Sequence, residues 1–144
     1  MATWDDVRRL ALALPETTEE SKSTGPSWRV KGKGFVNERP LRRGDLAALG
    51  DAAPDGPVAL AAVADEGVKQ ALVASEPDVF FTTPHFDGYP DVLFRLDRIG
   101  LDELQELVVE AWLVAAPKRL ARQFLDEHRE GEDDAGGAGP QVSG

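Results

Sequence analysis

His85 is the residue whose chemistry asks most of its surroundings. Its unperturbed pKa lies near neutrality, so it can donate or accept a proton at physiological pH. It stands in Pro84-His85-Phe86-Asp87-Gly88-Tyr89-Pro90, where Asp87 and Tyr89 are close enough in sequence to orient an imidazole. Histidines in such settings also serve simply to fix a loop by hydrogen bonding. The neighbouring Thr82 and Thr83 hydroxyls have no activating base beside them, and Ser/His/Asp spacing is absent. The residues thus suggest a ligand pocket between this loop and the hairpin around Trp28, a small-molecule binding module with no catalytic constellation.

A second chemistry is offered by the cations. The formal net charge is −10, which opposes nonspecific attraction to nucleic acid or anionic lipid. Its distribution is uneven: Lys22, Arg29, Lys31, Lys33, Arg39, Arg42 and Arg43 face Glu38 alone between Lys22 and Arg43, so this window is +6 and the rest of the chain −16. Arg29, Lys31, Lys33, Arg39, Arg42 and Arg43 can form a phosphate-facing wing, with Trp28 available to stack on a base if it is exposed. Lys118, Arg119 and Arg122 extend that wing if the two surfaces meet. The plainer reading is that these long side chains cover a solvated sheet face.

Several chemistries are excluded or unsupported. The chain has no cysteine, which removes disulfides, thiolate nucleophiles and cysteine metal sites and suits a reducing cytoplasm. No HExxH or calcium-loop pattern occurs, and Lys31-Gly32-Lys33-Gly34 lacks the spacing of a nucleotide-binding loop. No cofactor and no preformed metal site is expected. The opening Met1-Ala2-Thr3-Trp4-Asp5-Asp6 is acidic, unlike a signal peptide, and no run approaches the ~20 apolar residues of a membrane span.

These residues need elements to hold them. Thr3 is placed to cap a helix from Trp4 to Leu14, with Asp6 closing a capping box and Trp4, Val7, Leu10, Ala11 and Leu14 as its apolar stripe. Glu16 to Ser27 is polar and reads as a short helix or irregular edge strand. Trp28 to Asn37 reads as a glycine-turned hairpin, with Trp28 and Val30 on one face and Arg29 and Lys31 on the other. Leu41 to Leu49 is a short helix or a strand plus turn. Val58, Leu60 and Ala62 alternate in a strand, and Asp65 caps a helix that buries Val68, Ala71 and Leu72. Val79-Phe80-Phe81 and Asp91 to Leu96 form a hairpin across the seven residues Pro84–Pro90, with Val92, Phe94 and Leu96 facing the core.

From Leu101 to Ala115 the period becomes helical, through Leu101, Leu104, Leu107, Val108, Ala111, Val114 and Ala115. Pro117 separates this helix from another over Lys118 to His128. Trp112 is expected to fill the gap between these helices and the sheet. The result is an α+β domain over residues 1–130, an antiparallel sheet with helices packed mainly on one face, followed by a flexible acidic, Gly-rich tail over 131–144.

Together, Leu14-Pro15-Glu16 after the opening helix, the Trp28 to Phe35 hairpin, Val68-Lys69-Gln70-Ala71-Leu72, Thr82-Thr83-Pro84-His85-Phe86 with Tyr89-Pro90, and Glu110-Ala111-Trp112 with Ala116-Pro117-Lys118 resemble the bacterial MmcQ/YjbR family. The resemblance implies a frataxin-like fold and carries the DNA-binding label often given to that family, with no established reaction. Its frataxin-like side further implies that exposed carboxylates, here Asp5, Asp6, Glu16, Glu19 and Glu20, can weakly hold iron. The expectation is a non-enzymatic cytoplasmic domain, monomeric or weakly dimeric, that contacts DNA weakly through its early hairpin.

Overall fold

The computed structural model describes residues 2–136, with side chains described as far as His128. Along the chain run α1 (Trp4–Leu12), β1 (Thr17–Lys22), β2 (Gly25–Val30), β3 (Lys33–Glu38), α2 (Arg43–Leu49), β4 (Val58–Ala62), α3 (Glu66–Ser75), β5 (Phe80–Phe81), β6 (Asp91–Arg95), α4 (Leu101–Ala115) and α5 (Lys118–Gly136). The six strands form one antiparallel sheet in the order β1-β2-β3-β4-β6-β5. This is the expected α+β class. The tail expected from Gly131 lies in part outside the described residues: α5 runs to Gly136, and 137–144 are not among them.

Local chemistry sets the first elements. The Thr3 hydroxyl accepts from the Asp6 amide while the Asp6 carboxylate accepts from the Thr3 amide at 2.9 Å, so two otherwise orphaned donors at the start of α1 are satisfied. The polar stretch after Pro15 forms a regular edge strand, β1. Its outward side chains have no core to reach, which is why apolar alternation is missing there. Lys31 and Gly32, both at positive φ, turn β2 into β3. A bulge opposite Trp28 and Arg29 leaves Phe35 without a cross-strand partner, and Phe35 and Val36 consequently both enter the core.

The main core lies on one sheet face. Trp28, Val30, Ala59, Ala61, Val92 and Phe94 meet Val7 and Ala11 of α1 and Leu104, Val108 and Ala111 of α4. The strand expected over Val58 to Ala62 is buried on both faces: Ala59 and Ala61 lie beneath the main core, where their small side chains admit α4, while Val58 and Leu60 belong to the opposite face. There Val58, Phe81, Phe86 and Leu93 make a smaller core, with Leu41 and Leu49 packed against it. One helix, α2, therefore sits apart from the others.

Of the face expected to be buried on α3, Leu72 packs against the main core, and the other two residues do not. Asp65 caps the helix by accepting from the Val68 amide at 2.9 Å, but Val68 is 41% exposed and Ala71 is exposed. The fully buried residue is Lys69, whose stem crosses apolar ground to bring its ammonium to backbone carbonyls. At the other end of the molecule, Trp112 is fully buried as expected. Its Nε1 donates to the Pro15 carbonyl at 3.0 Å, and its ring meets Phe124 at 5.0 Å.

Two kinds of carboxylate give stability opposite responses to pH. Hydrogen bonding to Glu76, with burial and the charges of Glu76 and Glu106, pushes Glu103 up to about 7 from 4.5; burial raises Asp91 against the opposing charge of Lys69. Between the ordinary carboxylate range and pH 7 the folded state keeps protons that the unfolded chain has released, so these groups weaken the fold as pH rises. Glu19, held low by the Arg8 guanidinium, acts in the other sense, its contribution lost as pH falls below the carboxylate range. Thermal stability should thus be greater near pH 5 than at pH 8, by on the order of 1 kcal/mol after solvent screening. Glu103→Gln should flatten that limb, as measured by melting temperature across pH; a flat wild-type profile would contradict the assignment.

Candidate functional site

The loop joining β5 to β6 runs from Thr82 to Pro90 and begins with a single 3-10 turn, Pro84–Phe86. Three side-chain contacts fix it, together with the bond from the Val63 amide to the Pro90 carbonyl. The Phe86 ring is buried in the smaller core. Lys69 Nζ donates to the Phe86 carbonyl at 2.6 Å and to the Tyr89 carbonyl at 3.1 Å, with Glu66 3.7 Å away on the solvent side. The Thr83 hydroxyl donates to Asp45 Oδ1 at 2.9 Å. A buried ammonium needs such partners because leaving water unpaired would cost several kcal/mol.

Asp45 comes from α2 and joins this loop to the segment after β3. It is 4% exposed. Its Oδ2 accepts from the Arg42 amide at 3.0 Å and lies 3.4 Å from an Arg39 guanidinium nitrogen. Burial pushes its carboxyl upward, but the Arg42 amide, the Thr83 hydroxyl and the Arg39 and His85 charges outweigh burial and hold it below the usual carboxylate value. Arg39 is fixed from a second direction, its guanidinium lying 5.1 Å from the centre of the Phe86 ring.

The product is a cleft of about 320 Å³ lined by Arg39, Arg42, Gly44, Asp45, Pro84 and His85. That volume lies at the lower end of the ~300–1,000 Å³ typical of ligand pockets. His85 is exposed at its edge and packs edge-on against Phe86 at 4.8 Å. Lys69 and Thr83 hold the loop, and the His85 ring is left facing the cleft. Asp45 is already partnered three times, whereas the Arg42 side chain makes no ion pair among the described residues. The cleft therefore presents net positive charge and outward donors, an arrangement suited to a carboxylate or phosphate.

The residues singled out in the sequence are distributed unevenly around this site. His85, Arg39 and Arg42 converge on it. The pocket expected between the His85 loop and the Trp28 hairpin is instead formed against the Arg39–Asp45 segment, and neither Asp87 nor Tyr89 lines it; Tyr89 is 58% exposed and contributes its carbonyl to Lys69. Trp28 is fully buried, stacked on Trp4 at 6.4 Å with Nε1 donating to Glu19 at 3.0 Å, so its ring cannot serve as a stacking platform.

Other cations of the early window are answered by β1 and its approach, with Arg29 3.3 Å from Glu20, Lys31 3.3 Å from Glu16 and Lys22 3.8 Å from Glu20. Lys33 and Arg43 are exposed and make no ion pair among the described residues. Lys118, Arg119 and Arg122 line their own shallow depression with Asp126 and Glu127, sharing no residue with the cleft.

The N-terminal acids are engaged in the same pairwise way. Asp5 and Glu19 contact Arg8, and Asp6 is used by Thr3 and Arg9. No group of three or more His, Asp or Glu side chains converges as a metal site among the described residues. No helix among them is long and apolar enough to cross a membrane. Sequence reasoning missed Asp45, Thr83 and Lys69 as members of the site. The available signals were faint: an acid three residues after Arg42 at a helix start, and a lysine one turn before Leu72 and Val73 on α3.

The model of the family described as YjbR matches residues 12–114. Uncharacterised proteins of Mycobacterium bovis and Mycobacterium tuberculosis are each 52% identical to the chain over 128 residues, covering 87% of it and 97% of their own length. The crystal structure of Deinococcus radiodurans protein DR2400, a DUF419 domain, shares the fold with a TM-score of 0.60 at 20% identity, over 79% of this chain and 78% of that one. The match spans Arg39, α2 and the His85 loop, and with them the whole lining of the cleft, so the chain belongs to the YjbR family.

Proposed function

We infer that the chain is a non-enzymatic binding module that takes an anionic group, a phosphate or carboxylate, between Arg39, Arg42 and His85. The observation that carries this reading is the convergence of two arginines from the connection before α2 with an imidazole from the β5–β6 loop, around an acid whose charge is already satisfied. Arg42 supplies a planar fork of donors and His85 a titratable one, while Arg39 is held as part of the wall.

A nucleic-acid phosphodiester presents the same chemistry as a free phosphate. The DNA-binding reading draws support from Arg42, Arg43 and Lys33, which lack carboxylate partners among the described residues. It is weakened by the pairing of Arg29 and Lys31 and the burial of Trp28, since duplex affinity rests largely on phosphate neutralisation. The free-anion reading is accordingly favoured.

Calorimetric titration with inorganic phosphate and with a short duplex at low salt separates the two sources. Saturable phosphate binding is expected, weakened roughly 10- to 100-fold by Arg42→Glu, as fits the loss of a charge-assisted hydrogen bond. Duplex binding that is lost in Arg42→Glu with Arg43→Glu and falls steeply with salt would assign the surface to nucleic acid instead. Absence of any phosphate binding, or indifference to Arg42→Glu, would reject the proposal.

A further inference from the structure

The main core leaves space between α3 and α4. A cleft of about 230 Å³ lies there, lined by Val63, Leu72, Phe80, Leu107 and Val114 among others, with exposed Val68 one turn before Leu72. Carboxylates supply its charged rim: Glu103, Glu106 and Glu110 follow one another at three- and four-residue steps along α4. None of the three makes an ion pair among the described residues, in contrast to the N-terminal acids, each of which has a cation beside it. Glu76, just past the end of α3, crowds Glu103 further, and the pair's hydrogen bond keeps a proton on Glu103 up to about pH 7. The apolar cleft thus carries a negative edge, Glu106 and Glu110 beside a Glu103–Glu76 pair that shares one proton up to about pH 7.

A neutral hydrocarbon would fill the space and leave the crowded carboxylates as they are; an anion would be repelled. A guest with an apolar body and a cationic end satisfies both parts of the lining. We propose that the α3–α4 cleft binds a small lipophilic ammonium, a primary amine on a short hydrocarbon chain, with the chain against Leu72, Phe80 and Leu107 and the ammonium among Glu103, Glu106 and Glu110. The cavity is below the ~300 Å³ lower bound usual for drug-sized ligands, which selects a single short chain. An ammonium brings three donors to the carboxylate row. This site shares no lining residue with the His85 cleft and has the opposite charge preference, so neither proposal depends on the other.

The test is an amide-resolved NMR titration of the full chain with n-hexylammonium, 1-hexanol and hexanoate, which keep the hydrocarbon and change the head group. Hexylammonium should produce saturable shifts confined to α3 and α4 and bind at least about tenfold more tightly than hexanol, with hexanoate producing none. Glu103→Gln with Glu106→Gln should bring hexylammonium down to the affinity of hexanol. Equal binding of amine and alcohol, or undiminished amine binding by the double variant, would overturn the proposal. So would concentration-dependent shifts of the cleft and α5 without any amine, which would give the groove to a second copy of the chain.

Discussion

Lys69→Met is expected to destabilise the protein by about 3 to 5 kcal/mol and to abolish anion binding at the His85 cleft together. Methionine replaces most of the buried stem, so packing on α3 changes little; what disappears is the ammonium. The Phe86 and Tyr89 carbonyls keep only their local backbone donors, the Tyr89 and Asp91 amides, and two hydrogen bonds from a charged group, worth roughly 1.5 to 3 kcal/mol each, are lost. The side chains still holding the loop that carries His85 would then be Thr83, through its hydrogen bond to Asp45, and Phe86, with the Val63 amide keeping its bond to the Pro90 carbonyl at the far end. Urea denaturation reads the first effect, and phosphate titration of the folded variant the second. An unchanged midpoint with unchanged phosphate affinity would show that the buried lysine does not hold the loop.

Trp112→Ala should cost about 3 to 5 kcal/mol, in the range for removing a large buried aromatic. Its indole packs against Phe124 of α5 and donates to the carbonyl of Pro15 in the link from α1 to β1. One side chain therefore ties both α5 and the α1–β1 link to α4. Trp112→Phe should recover most of the loss, leaving about 1 kcal/mol for the missing hydrogen bond to Pro15. Chemical denaturation with a common slope for all three proteins measures this; a midpoint for Trp112→Ala equal to wild type would remove Trp112 from the core.

Much of the scaffold could be read from local pattern. Thr3 and Asp6 announce α1 because a capping box is a three-residue interaction, and α4 declares itself by period. Lys31-Gly32 likewise fixes the β2–β3 turn through its need for positive φ. Local pattern leaves open which face of an element meets which core. Val58-Ala59-Leu60-Ala61-Ala62 is apolar at every position, so alternation cannot say which side meets α4; Val58 and Leu60 go to the smaller core and Ala59, Ala61 and Ala62 to the main one. On α3 a lysine reads as solvent-facing until the carbonyls of a loop 17 and 20 residues later come to meet it.

The site shows the same division. His85, Arg39 and Arg42 were recognisable as residue types that bind or transfer charge, but they stand in two segments of the sequence. The hydrogen bond between Thr83 and Asp45, 38 residues apart, is what joins the segments. Trp28 failed as a stacking residue because Trp4 and Glu19, both outside its hairpin, enclose it. Of the hairpin cations, Arg29 and Lys31 are paired with Glu20 and Glu16, carboxylates that lie outside the hairpin and that its own pattern does not announce.

The chain contains two histidines, His85 in the cleft and His128 on α5, where its Nδ1 lies 2.9 Å from the Phe124 carbonyl. Their imidazole proton resonances therefore form a built-in comparison during addition of phosphate at constant pH and ionic strength. Anion capture beside Arg42 predicts a saturable shift of the His85 signals while those of His128 stay still. Two histidines that both remain unmoved, or drift together without saturation, would contradict it.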